Sequence, residues 1–171
     1  MRGQKIIGYV EVIASNYPGV KVKANGYGDV YEDLIHLGGD PIPAKTELDT
    51  KMLELKQSII WEDIKTKREL RLASGFYCEG KGWHSDNESR IKYLGLLMLG
   101  ANMPTTIYWK TMDGSFVQMT PTLIDQIFNA LSAWDTSTFT KAEEHKAAMI
   151  QSADPFAYDY SAGWPLIYGE Q

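Results

Sequence analysis

Residues 82–95 read GWHSDNESRIKYLG, from Gly82 to Gly95. How this stretch is read decides the fold. His84, Asp86 and Glu88 stand at alternate positions, which raises a metal or acid–base site. Ligands on a helix pair three or four residues apart. A spacing of two across a strand-to-helix junction instead turns Asp86 and Glu88 away from each other. Ser85 with Glu88 fits the Ser-x-x-Glu capping box, and Asp86 in the first turn meets the positive end of the helix dipole. The helix-start reading uses Ser85, Asp86 and Glu88 without remainder, so no metal and no cofactor is expected.

Working outward, Ile91, Leu94, Leu97, Met98 and Ala101 are expected to form the buried face of this helix, which Pro104 stops. Residues 105–111 and 115–120 are β-rich and flank Asp113-Gly114, a hairpin signal. Thr120-Pro121 opens the next helix, with Thr at the cap and Pro at the first position. Its apolar face is Leu123, Ile124, Ile127, Phe128, Leu131 and Trp134. The TSTFT run at 136–140 is expected to interrupt it, and Thr140 with Glu143 to cap a last helix from Lys141 to about Ser152.

Upstream, residues 76–85 read as a small hairpin around Glu79-Gly80-Lys81-Gly82. Before it Thr46 with Asp49 resembles a capping box, and Leu48, Met52, Leu55 and Ile59 make a helical stripe. Ile60, Ile64 and Leu72 continue it on a shifted face, to a Gly cap near Ser74-Gly75. Residues 5–13 and 20–23 read as strands, Asn25-Gly26 as a hairpin turn, and 30–37 as a strand or a short helix. The GGDPIP cluster at 38–43 is the strongest break in the chain. The expected fold is α+β. A small β-rich N-terminal adaptor module, 1–41, precedes a helix–hairpin–helix–hairpin–helix body, 42–153, and an aromatic C-terminal tail, 154–171.

Composition narrows the function. Apolar residues make up 44% of the chain, enough for a core, and the net charge is −5. That balance argues against a grip on nucleic acid or anionic lipid. The basic run Lys65, Lys67, Arg68 and Arg71 is broken by Glu69 and reads as a solvated helix face. Cys78 is alone, which excludes a disulfide framework. No apolar run reaches the length of a membrane span, and residues 1–15 lack a signal-peptide pattern, so synthesis in a cytoplasm is expected. Gly26 and Gly28 lie in a turn sequence without a dinucleotide or Walker pattern, and no Gly-x-Ser-x-Gly elbow occurs. The carboxylate pairs Glu62-Asp63 and Glu143-Glu144 lie on helical positions. The tail holds Phe156, Tyr158, Tyr160, Trp164 and Tyr168. Such density suits a partner-binding surface, or else a cover over the protein's own helices.

A further set of residues carries a resemblance. Pro43 with Glu47-Leu48-Asp49, Trp61 with Ile64-Lys65 and Arg68, Gly75-Phe76, Ser85-Asp86 with Ser89 and Ile91, Trp109 with Asp113 and Val117, and Met149 to Ala153 keep their order and spacing. Over residues 42–153 the sequence resembles a domain of unknown function found near the C-terminus of tailed-phage tail and tail-fibre proteins. Members often carry Gly-Gly where Ser74-Gly75 stands, and the flanks 1–41 and 154–171 lie outside the resemblance. It implies a non-enzymatic virion component that docks on or caps a tail fibre or the baseplate. The alternative it implies is a tail-fibre assembly chaperone, either released after assembly or remaining bound to the fibre. The implied partners are other tail or tail-fibre proteins and further copies of this chain in a trimer or ring, with no nucleic acid and no membrane insertion. The implied location is the virion tail.

Overall fold

The structure, a computed structural model, describes residues 7–170. Helix α1 (Tyr9–Asn16) is followed by strands β1 (Val20–Ala24) and β2 (Leu34–Gly39) and by the long helix α2 (Lys45–Leu72). Strands β3 (Phe76–Cys78) and β4 (Lys81–Trp83), helix α3 (Asn87–Leu99), strands β5 (Tyr108–Lys110) and β6 (Phe116–Gln118) and helix α4 (Pro121–Ile150) complete the order. The architecture is α+β, with each strand pair an antiparallel two-stranded sheet. The described residues form two compact units: 7–62 with 149–158, and 63–148 with 159–170.

In the first unit, the strand expected at 5–13 is a helix from Tyr9 onward; Lys5 and Ile6 lie outside the described residues. The Gly8 N–H donates to the Glu11 carboxylate at 2.9 Å, closing the first turn. Tyr9, Val12 and Ile13, spaced by three and one, are all buried. Burial of that helical stripe outweighs the β preference of Val and Ile, which is a weak local term. β1 is the strand expected at 20–23, and it pairs with β2 with a register shift between Lys21 and Val22. Residues 30–37 hold both alternatives, a 3₁₀ turn at Tyr31–Asp33 and then β2. The connection therefore spans residues 25–33 rather than a two-residue Asn-Gly turn. Leu48 is fully buried among Tyr9, Val12 and Ile13, and Met52, Leu55, Ile59 and Phe156 pack on the same cluster. The break expected after residue 41 thus falls inside this unit, because the first half of α2 supplies its apolar face. Thr46 is not a cap, since α2 begins at Lys45. Asp49 instead accepts from the Tyr9 hydroxyl at 2.6 Å and Lys45 at 2.9 Å.

The second unit has the expected alternation of helices and hairpins. α2 ends at Leu72, and Gly75 follows at φ +86°. A Cβ at Gly75 would lie 2.2 Å from Met112 Sδ. Glu79 and Gly80, at φ 49° and 70°, make the tight turn between β3 and β4. Phe76, Trp83, Tyr93, Met103, Met119, Ile124, Ile127 and Leu131 form the core. Two expectations about α3 are corrected. Its cap is Asp86, not Ser85, and its buried side carries Ser89 and Tyr93. Ile91, Leu94 and Met98 are exposed at 71%, 47% and 80%. The burial phase is turned by roughly one residue's rotation. Tyr93 sets it: the ring lies 4.5 Å from that of Trp109 and its hydroxyl donates to the His84 carbonyl at 3.0 Å.

α4 runs unbroken through residues 136–140, correcting the expected interruption there and the Thr140–Glu143 cap. Thr136, Ser137 and Thr138 donate their hydroxyls to the carbonyls four residues back, at 2.8–3.0 Å. A helix tolerates these residues when their side chains bond its own backbone. The Thr120 cap does form, its hydroxyl oxygen accepting from Leu123 N at 3.1 Å. Gly75→Ala should cost about 1–2 kcal/mol through its left-handed backbone and the crowding against Met112, read as a lower urea midpoint with an unchanged slope.

Candidate functional site

The aromatic tail was the sequence's candidate contact surface, and the structure folds it onto the chain itself. In the second unit, Tyr160 and Trp164 are buried, and Trp164 donates its indole N–H to the Tyr160 carbonyl at 2.8 Å. Trp164 lies against His145 with ring centroids 5.2 Å apart. Lys67 donates to the Ser161 carbonyl at 2.9 Å, and Arg71 to the Pro165 carbonyl at 2.6 Å and the Glu170 carboxylate. Tyr168 lies beside Tyr77, and its ring occupies the space a Cβ at Gly82 would need. In the first unit, Phe156 sits under the Lys56 ammonium and Tyr158 is half-buried. Of the five rings named from sequence, Tyr160 and Trp164 are covering groups of the fold, Phe156 and Tyr168 pack against it in part, and Tyr158 is half-buried.

The stretch after Trp83 holds structure together. Asp86 accepts from the Ser89 N–H at 3.0 Å and its hydroxyl at 2.8 Å, which hold its carboxyl below the usual range. Ser85 Oγ accepts from Gly75 N–H at 2.8 Å, and Glu88 pairs with Lys92. Among the described residues no three His, Cys, Asp or Glu side chains are grouped to hold a metal. Arg90, which sequence reasoning passed over, joins four segments. Its guanidinium grips Asp135 of α4 with two bonds of 2.5 and 2.9 Å. It also donates to the Ser85 carbonyl at 2.6 Å and the Leu72 carbonyl at 3.1 Å. These groups line a cleft of about 460 Å³ with Glu69 and Asn87, and Arg90 fills its polar demand.

The arrangement nearest to a reactive one is at the β5–β6 turn. Lys81 donates to Asp113 at 2.8 Å and to Ser115 Oγ at 3.0 Å. Thr111 and Ser115 also donate to Asp113. Lys81, then Thr111 and Ser115, hold the Asp113 carboxyl far below its usual value. The Ser115 hydroxyl already donates to the Asp113 carboxylate at 2.7 Å and Lys81 donates to Ser115 Oγ rather than accepting from it, so the cluster's bonds are spent on the turn.

What the fold leaves outside is a surface. The row Ile91, Leu94 and Met98 on α3 faces away from the core, and Gly95 among them opens onto free space. On the adjoining flank of α3 a shallow groove of about 640 Å³ is floored by Leu96, Ile107 and Trp109 and edged by Lys92 and Lys110. Tyr108 and Phe116 stand exposed on the neighbouring hairpin, at 58% and 68%. A sequence signal for this was present: α3 is apolar on nearly every side from Ile91 to Leu99, and a helix that touches the core on one side cannot bury all of it. No described helix is long and apolar enough to cross a membrane.

Two outcomes follow from these contacts. Arg90→Ala should lower stability by about 2–4 kcal/mol, because it leaves Asp135 and two carbonyls unpaired, and Arg90→Lys should recover only part of it; chemical denaturation checks both. Burial pushes the His145 imidazole below its ordinary value, against the bond it donates to the Ala162 carbonyl at 3.0 Å; the neighbouring charges are Lys141, Lys67 and Glu144. A histidine neutral in the fold takes up a proton more readily when unfolded. Its contribution to stability is therefore present above about pH 6.5 and falls as the pH drops below that, whereas the capped carboxylates weaken the fold only below about pH 4. The melting temperature should fall between about pH 7 and pH 5, and His145→Gln should flatten that fall.

No curated protein and no solved structure matches the chain. Residues 54–162, well over half of the sequence, match a family described as a domain of unknown function (DUF4376). The chain belongs to that family.

Proposed function

We propose that this protein is a non-enzymatic component of a bacteriophage tail, docking on or capping a tail fibre or the baseplate through protein–protein contacts. The observation that carries the docking is the exposed apolar row of Ile91, Leu94 and Met98 on α3. The phage context is carried by the sequence resemblance over residues 42–153 alone. The tail rings are engaged within the fold, so the docking face moves from the C-terminus to α3 and the adjoining hairpin. Three apolar side chains in a helical row give the anchors of a helix-in-groove contact, where buried area near the centre dominates affinity. The partners are other tail or tail-fibre proteins, with further copies of this chain placed by the symmetry of the tail.

Mass spectrometry of purified particles should find this chain in the virion tail at a fixed copy number. Absence from particles, together with fibres that are insoluble when made without it, would assign it to assembly as a chaperone instead. A Leu94→Asp, Met98→Glu double variant should melt within a few degrees of the parent, since both side chains are exposed, yet be lost from particles.

A further inference from the structure

The β5–β6 sheet has only two strands, and the hydrogen-bond pattern shows which of its backbone groups stay open. Met119 N–H donates to Ile107 O and Thr111 N–H to Ser115 O, each at 2.9 Å. With Trp109 opposite Val117, positions 107, 109 and 111 are the bonded pairs of the ladder. Tyr108 and Lys110 are then the intervening pairs, and their N–H and C=O groups point away from β6. The strand edge they form borders the groove between β5 and α3. Farther along the same edge Met112 N–H is already bonded to the Gly82 carbonyl of β4 at 3.0 Å, so the stretch left to an incoming extended chain is Tyr108 and Lys110, whose four backbone groups border the groove.

The charge of the groove selects the occupant. Lys92 and Lys110 are the charged groups that line it and no carboxylate does, in a chain of net charge −5. Lys92 is paired with Glu88, whereas Lys110 has no carboxylate within ion-pair distance among the described residues. A second copy of this chain has little to offer such a groove. None of the six described strands, among them VKVKA of β1 and FVQ of β6, contains an aspartate or glutamate. We propose that the groove between β5 and α3 takes an extended acidic segment of a different protein as a third strand on β5. Its backbone pairs with Tyr108 and Lys110, its apolar side chains meet Leu96 and Trp109, and its carboxylates meet Lys110. This rests on the reading that the second unit binds a protein partner, and it names the chemistry of that partner.

The probe is a short fluorescein-labelled peptide alternating glutamate with valine and tyrosine, titrated into the full chain by anisotropy. Controls are the same peptide with lysine for glutamate and with alternate backbone amides N-methylated. The acidic peptide should bind, shift the amide resonances of Tyr108 and Lys110, and lose affinity at high salt. Lys110→Glu should weaken it by about fivefold or more. Tyr108→Pro, which removes an outward N–H without touching the β6 pairing, should weaken it by about tenfold, and the N-methylated peptide should fail on the unaltered protein. Equal binding of the lysine peptide, full binding of the N-methylated peptide, or shifts confined to residues away from β5 would each overturn the proposal. So would a dimer that buries Tyr108 and excludes the peptide. Incorporation of the chain into particles with no peptide binding sinks this inference and leaves the tail assignment standing.

Discussion

The second unit depends on one guanidinium. Arg90 lies on α3, but its donors reach the end of α2 at Leu72, the β4–α3 junction at Ser85, and Asp135 on α4. The planar fork suits this role: two parallel bonds fix the carboxylate while the remaining donors satisfy carbonyls that a helix end and a turn leave open. With that group in place, Asp86 is free to cap α3 and Ser85 to accept from Gly75. The acidic and hydroxyl groups around residue 86 are consumed by the backbone, which is why the cleft they line reads as a joint.

The same geometry decides where apolar surface ends up. Once Arg90 faces α4 and the Tyr93 ring packs against Trp109, the rotation of α3 is set, and Ile91, Leu94 and Met98 are turned outward. At the C-terminus the balance runs the other way. The last segment is drawn in by Lys67, Arg71 and Trp134, which donate to its carbonyls, so rings that look like contact residues become cover. A docking reading therefore rests on a helix face and a strand edge that the core does not need.

Much of this was legible in the sequence. Each hairpin of the second unit was marked near its turn, the second at Asp113-Gly114 and the first within Glu79–Gly82, of which only Glu79-Gly80 turn while Lys81 and Gly82 join β4, because positive φ restricts the choice of residue. The Thr120-Pro121 start and the Gly75 stop of the long helices were equally local. The shift of the α2 stripe from Ile59 to Ile60 and Ile64 was equally legible, and both of the latter are buried. Errors came where two local signals competed. At Tyr9–Asn16 β-branched residues lost to a helical stripe, at 136–140 hydroxyls that look like breakers bonded their own helix, and at 85–86 two adjacent cap residues left the register open by one.

The sequence by itself determined the α+β class, the order of helices and hairpins from residue 45 onward and most of their ends, because caps, turns and periodicity act over a few residues. Only the tertiary structure decided which side of α3 is buried, that Arg90 and Asp135 meet, and that the aromatic tail is occupied within the fold. Those outcomes hang on contacts between residues as far apart as Arg90 and Asp135 or Lys67 and Ser161, whose energies depend on packing and geometry that no short window of residues encodes.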